Sequence, residues 1–260
     1  MMNSNIKKLF SLEGKNVFIT GSASGIGQAC AKACSMAGAN IIGTYNERSY
    51  LKTEEIVRNS GSKFYPIKLD LSSLSSTKAD EIFLDAEKKF GKISVLINAA
   101  GINLRNMALD YSEDDWNKVF DVNLKSCFLL SQAIAKRCKD ENRKCKIINV
   151  ASLLSFQAGC RTTAYTSSKH GVVGLTKLLA NEWGQYNINV NSIAPGYIRT
   201  SMTEDFLNNS EVSDRYLERI PLGKWGEPDD LMGTIIFLSS QASDYIQGAC
   251  IVVDGGYLNS

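Results

Sequence analysis

Histidine is almost missing from this chain: His170 is the only one in 260 residues. A His-rich metal site is therefore excluded. The seven cysteines (Cys30, Cys34, Cys127, Cys138, Cys145, Cys160 and Cys250) are odd in number and form no CxxC pair. They read as reduced thiols in a reducing compartment. Cys30 and Cys34 share a helical face, but a metal needs more ligands than that. No apolar run reaches the ~18 residues that span a bilayer. The opening stretch, MMNSNIKKLFSLEGK, lacks the apolar centre of a signal peptide. A soluble, cytoplasmic protein that contacts no membrane is expected. Charge of one sign is also scarce: 29 basic residues face 27 acidic ones, a net charge of +2. That balance argues against a dedicated nucleic-acid binder, which clusters Lys and Arg.

What is present is a globular composition. Hydrophobic residues make up 44% and charged residues 22%, which excludes a disordered chain. A chain of this length buries a sizeable core without disulfide or metal staples. One domain over 1–260 is the expectation, with two small domains as the alternative. Residues 1–11 form an N-terminal extension. No repeat, linker or low-complexity tract appears; the Ser-rich Ser72–Ser76 reads as a loop and helix cap.

Apolar runs alternate with helical patterns throughout. Strands are predicted at Lys15–Thr20, Asn40–Tyr45, Lys63–Leu69, Ile93–Asn98, Cys145–Val150, Ile188–Ala194 and Ala249–Val253. Helices are predicted at Gly25–Ala37, Glu47–Ser60, Ser75–Phe90, Ser112–Lys139, Thr163–Tyr186, Ser201–Arg219 and Pro228–Ser240. Strands alternating with helices predict a parallel sheet with helices on both faces. Unalternated runs such as VLIN and IINV suit strands buried on both sides. With right-handed crossovers, the fold class is α/β: a Rossmann-like, doubly wound parallel sheet of about seven strands.

Between the first strand and first helix lies Thr20-Gly21-Ser22-Ala23-Ser24-Gly25-Ile26-Gly27. Glycines let a ligand approach the backbone, and a helix N-terminus favours an anion. The spacing is GxxxGxG. A tight strand–helix connection is the plain reading; a nucleotide phosphate is the functional one, favoured by the loop's place in the chain. Tyr165 and Lys169 stand four apart on a predicted helix, so they share a face. Alone, such a pair is more often a surface feature. An ammonium beside a phenol lowers its pKa from about 10, however, and makes Tyr165 a candidate acid/base.

Together these motifs resemble the short-chain dehydrogenase/reductase family, over about Leu12 to Leu258. Asn98-Ala99-Ala100-Gly101, Asn123, Ser152, Tyr165-x-x-x-Lys169 and Pro195-Gly196-Tyr197-Ile198-Arg199-Thr200 carry the likeness along with the glycine loop. The resemblance implies an NAD(P)-dependent interconversion of a secondary alcohol and a ketone. Tyr165 is then the acid/base, and Lys169 lowers its pKa and holds the nicotinamide ribose. Ser152 holds the substrate oxygen, and Asn123 anchors a water relay from a kinked helix. It also implies cofactor contacts from the loop (Gly21, Ser22, Ser24, Gly25, Ile26 and Gly27), with Tyr45 ending the second strand. Asp70 and Leu71 flank the adenine, and Asn98, Ala99 and Gly101 lie near the ribose. Pro195, Gly196, Ile198 and Thr200 line the nicotinamide side. The family's usual NNAG is NAAG here, so Ala99 offers only backbone.

No acidic residue stands at Tyr45 to meet a ribose 2′-hydroxyl. Arg48 suits a 2′-phosphate, while the adjacent Glu47 repels one. Those residues leave NAD and NADP open. Further segments, SLLSFQAG at 152–159, LANEW at 179–183, RIPLGKWG at 219–226, DLMG at 230–233 and VDGG at 253–256, resemble a branch acting on sugar acids such as 2-dehydro-3-deoxy-D-gluconate, 2-deoxy-D-gluconate and gluconate. That branch tips the cofactor expectation slightly to NAD. Arg105 and Arg161 are candidates for a substrate carboxylate and Gln157 for a hydroxyl, with surface charge as the plain reading of each Arg. Residues 200–222 are a candidate lid. A 3-oxoacyl-acyl-carrier-protein reductase and a catalytically silent dinucleotide sensor are the competing functions. Family members usually form homotetramers through the two long helices and the last strand. His170 reads as structural, and Trp116, Trp183 and Trp225 as core or interface.

Overall fold

The computed structural model describes residues 3–260. Its centre is one seven-stranded sheet, all parallel, ordered β3-β2-β1-β4-β5-β6-β7. The strands are β1 Asn16–Ile19, β2 Asn40–Tyr45, β3 Phe64–Lys68, β4 Ile93–Asn98, β5 Cys145–Val150, β6 Ile188–Pro195 and β7 Cys250–Val253. All seven lie where the apolar runs predict them. The helices are α1 Ser4–Phe10, α2 Gly25–Met36, α3 Leu51–Asn59, α4 Ser76–Phe90, α5 Glu113–Phe120, α6 Ser126–Asp140, α7 Thr163–Trp183, α8 Glu204–Leu207, α9 Ser210–Leu217 and α10 Met232–Ser239.

Strand residues alternate between two cores because successive side chains point to opposite faces. Phe18, Ile42, Leu96, Ile147 and Val190 pack on one face with residues of α4, α6 and α7. Val17, Ile41, Ile97, Ile148 and Ile193 pack on the other with α2 and α10. A sheet covered on both faces needs continuous apolar strands, which is why period-two alternation is absent from the sequence. Strand order reverses between β1 and β4, and the crevice above their C-terminal ends is where such sheets bind ligands.

Four expected helices differ; the last begins at Met232, after a 3-10 turn over Pro228–Leu231. The single helix expected over Ser112–Lys139 is two helices, α5 and α6, joined by a wide π turn at Asp121–Lys125. That turn carries Asn123, whose side chain is tied to the backbone of Ile102. Ser201–Arg219 is two short helices, α8 and α9, because Asn209 caps a new start through the amide of Val212. The second helix begins at Leu51, four residues late. The N-terminal extension contains a helix, α1, that composition did not suggest. No helix among the described residues is long and apolar enough to cross a membrane.

Candidate active site

The glycine loop is built around backbone contact. Gly27 approaches so closely that a Cβ there would lie 2.1 Å from the carbonyl oxygen of Gly21. Gly21 has φ +66°, a left-handed conformation that glycine adopts without penalty. Gly25 opens α2, and a Cβ on it would sit 3.3 Å from the Thr200 methyl carbon, so the two expected ends of the cofactor site meet. The first amides of a helix have no intrahelical partner, and here they top the loop. Backbone-lined space at a helix N-terminus suits a dinucleotide pyrophosphate. Gly27→Ala is expected to lower both thermal stability and cofactor affinity, since overpacking costs roughly 1–3 kcal/mol. A thermal melt and a fluorescence titration with NADP check this; unchanged values in both would refute the tight cradle.

Thr20, which the sequence did not single out, fastens the crevice. Its hydroxyl accepts from the amides of Ala99 and Ala100, both at 3.0 Å. Those two bonds lock the NAAG turn against the glycine loop, and Gly101 follows beside Asn123 and the Lys169 Nζ. Ser22 faces inward instead: fully buried, its hydroxyl donates to the Thr44 carbonyl. Asn98 is also turned in, donating to Asn149 Oδ1 at 2.9 Å because β4 and β5 pair these two residues. Its Oδ1 is buried with no partner. Ser24 accepts a 3.2 Å bond from Arg48 Nη1, which brings the only basic side chain of that stretch onto the loop. Tyr45 packs its ring on Tyr50. Asp70 is exposed and holds the amide and hydroxyl of Ser72, which keep its carboxyl below the usual range; Leu71 is buried beside it. Pro195 ends β6, Gly196 presses against Asp254, and Ile198 is buried.

The four expected catalytic residues converge above β4 and β5. Ser152 follows β5 and caps a short turn, accepting from the Leu154 amide. The Tyr165 phenol lies near enough for Ser152 to hold its pKa down. Lys169 lies one turn below Tyr165 on α7, its Nζ 5.7 Å from the ring centroid. Asn123 is fully buried; it accepts from the Ile102 amide, donates to the Ile102 carbonyl, and donates to Ser168. Ser155 was missed. It donates to the Lys169 carbonyl at 2.7 Å and accepts from the Ser152 amide, joining two of the expected catalytic positions through backbone.

The electrostatics differ from the expectation. Burial raises the Tyr165 phenol above its ordinary value; the Ser152 hydroxyl and the Arg105 charge oppose that rise. The Lys169 ammonium donates to the Val150 carbonyl, 2.6 Å away. Burial pushes Lys169 itself down to about 8.

Of the substrate candidates, only Arg105 lies near enough for its charge to act on the Tyr165 phenol. It also touches the segment after β6, donating to the Met202 carbonyl at 3.0 Å. Arg161 is exposed in a left-handed backbone conformation (φ +61°), and Gln157 is half-buried. His170 is exposed and bonds the Thr166 carbonyl. Trp225 is buried under Tyr197 and Tyr216, whereas Trp116 stacks on Phe120 at the surface.

Fold and site together define a dinucleotide-dependent oxidoreductase. A model of the family described as enoyl-(acyl carrier protein) reductase matches residues 21–258, and the chain belongs to this short-chain dehydrogenase/reductase family. It is 46% identical over 254 residues to the 2-dehydro-3-deoxy-D-gluconate 5-dehydrogenase of Escherichia coli, covering 97% of this chain and 99% of that one. A solved structure from Agrobacterium tumefaciens, provisionally assigned as a 2-deoxy-D-gluconate 3-dehydrogenase and holding NADP, is 44% identical. It superposes with a TM-score of 0.91 over 97% of this chain and 99% of its own. A gluconate 5-dehydrogenase from Burkholderia cenocepacia, in complex with NADP and tartrate, is 32% identical with a TM-score of 0.90, over 98% and 99% of the two chains.

Proposed function

We propose that this enzyme interconverts a secondary hydroxyl and a ketone on a sugar acid, with 2-dehydro-3-deoxy-D-gluconate, 2-deoxy-D-gluconate or gluconate as the substrate class. The observation that carries the reading is the grouping of Ser152, at the C-terminal end of β5, with Tyr165 and Lys169 on α7, the Lys169 Nζ 5.7 Å from the Tyr165 ring and the Arg105 charge acting on its phenol. A cation at the reacting oxygen suits an anionic substrate, and a guanidinium matches a carboxylate through its planar fork. The relatives named above support that class.

When bound, the nicotinamide supplies or accepts the hydride. The chain does the rest. Tyr165 gives its phenolic proton to the substrate oxygen in reduction and takes it back in oxidation. Ser152 holds that oxygen in line. Lys169 and Asn123 keep the floor of the site polar where the substrate's proton must travel. Gly21, Gly25, Ile26 and Gly27 would bind the pyrophosphate through backbone, with Ala99, Gly101 and Thr200 closing the other side.

The cofactor we assign is NADP rather than NAD. Arg48 on Ser24 is aimed at the loop where a 2′-phosphate would lie, and two neighbouring structures hold NADP. The earlier lean to NAD has only the branch resemblance behind it. Residues 1–260 act as one cofactor-binding and catalytic unit, with 200–222 as its lid. A homotetramer fits the surface: an open apolar hollow lies between α6 and α7, lined by Phe120, Leu124, Phe128 and Leu175, and Val252 is exposed on β7.

Oxidation of 2-deoxy-D-gluconate and D-gluconate, with NADP and NAD in parallel, tests the assignment. Turnover with NADP is expected to exceed turnover with NAD. Arg48→Ala should cut the NADP-to-NAD ratio of kcat/KM roughly tenfold or more, the worth of a charged hydrogen bond. An unchanged ratio would remove Arg48 from the cofactor choice, and faster wild-type turnover with NAD would return that choice to NAD. Turnover of a 3-oxoacyl carrier substrate alone would overturn the sugar-acid assignment.

A further inference from the structure

The outward contacts of Arg105 converge on the segment that follows β6. Nη2 donates to the Met202 carbonyl at 3.0 Å, Nη1 lies 3.7 Å from the Asp205 carboxylate, and the guanidinium carbon stacks 4.1 Å over the Phe206 ring. The side chain is mostly buried, and its Nε is buried without any partner. Asp205 is nearly fully exposed, at 91%. One guanidinium thus holds three lid positions and still has an unused buried donor.

A guanidinium offers five N–H donors, and a buried one left open is costly. The bond to Asp205 is long and wet, so it is easily exchanged. A carboxylate that reaches both Nε and Nη of Arg105 gains two charge-assisted bonds and fills the open donor. Asp205 reaches only one edge.

We propose that Asp205 is an internal stand-in for the substrate carboxylate: it holds residues 202–206 onto Arg105, and an incoming sugar-acid carboxylate displaces it. The inference rests on the proposed sugar-acid reading for the identity of the competitor. It makes Asp205 a specificity-determining lid residue: acidic ligands must compete with it, and neutral polyols do not.

Calorimetric binding to the NADPH complex, in which an alcohol cannot react, reads the competition. D-gluconate is the acidic probe and D-glucitol the neutral one. Asp205→Asn should tighten D-gluconate about two- to fivefold, the worth of a part-exposed ion pair, and leave D-glucitol unchanged. Equal changes for both, or weaker gluconate binding, would overturn the proposal. Hydrogen exchange of the amides over 202–207 in the ligand-free protein gives an independent readout. It should be severalfold faster in Asp205→Asn, and unchanged exchange overturns the latch whether or not gluconate binds. If gluconate binds neither protein, the sugar-acid reading falls, and the exchange result alone decides the latch.

Discussion

Tyr165→Phe should lose turnover by about 10²–10⁴-fold, the usual contribution of a positioned acid/base, while NADP binds within a few-fold of wild type. The substitution removes one oxygen and keeps the ring. That oxygen lies beside Ser152 and feels the charge of Arg105. The glycine loop, the Thr20 bonds to Ala99 and Ala100, and Thr200 involve none of its atoms. Chemistry and cofactor binding are therefore separable at this residue. Burial raises the phenol's pKa, so oxidation, which needs the phenolate, should rise with pH over the neutral to alkaline range. Stopped-flow turnover on 2-deoxy-D-gluconate and a cofactor fluorescence titration check both halves. Retained turnover in Tyr165→Phe would remove Tyr165 from the mechanism and leave Ser152 with no proton donor beside it.

The sheet could be read from the chain because each strand is a short apolar run closed by a Gly, Asn or Ser turn. The glycine loop could be read because its place between strand and helix constrains what it does. The break in the helix over 112–139 could not. Apolar residues continue at three- and four-residue spacing through it, and the cause lies elsewhere in the fold. Asn123 reaches across to both backbone groups of Ile102, and Ser126 donates back to the Val122 carbonyl within the widened turn. Ser155 was hidden for a similar reason, since it works on the backbone of Lys169 and Ser152 and so leaves no motif of its own. Arg48 was visible as a charge, but its partner was not. Glu47 beside it argued against a phosphate site, and only the fold aims the guanidinium at Ser24. Arg105 and Arg161 look alike in sequence, and loop geometry separates them. The loop after β4 folds Arg105 inward beneath Met202, while a left-handed backbone presents Arg161 at the surface.

Lys169 should reveal what the site costs the fold. It is almost fully buried, and burial holds its ammonium near 8 instead of the ordinary 10.5. Between those values the unfolded chain carries a proton that the native chain has shed, so native stability rises with pH across that window. Below pH 8 the whole penalty applies, about 3 kcal/mol for a shift of this size. Lys169→Met removes it but strands the Val150 carbonyl, which loses a charged-donor bond worth about 2 kcal/mol. The net expectation is a variant about 1 kcal/mol more stable than wild type at pH 7, melting a few degrees higher. The advantage should shrink as pH rises from 8 and be gone near 10.5, where only the lost bond remains. Turnover should fall with the lysine, which makes the exchange one of function for stability. Melts of both proteins, without cofactor, at pH 7 and pH 10 decide it. A less stable variant at pH 7 would mean that the Val150 bond outweighs the burial of the charge, and that Lys169 supports the fold as well as the site.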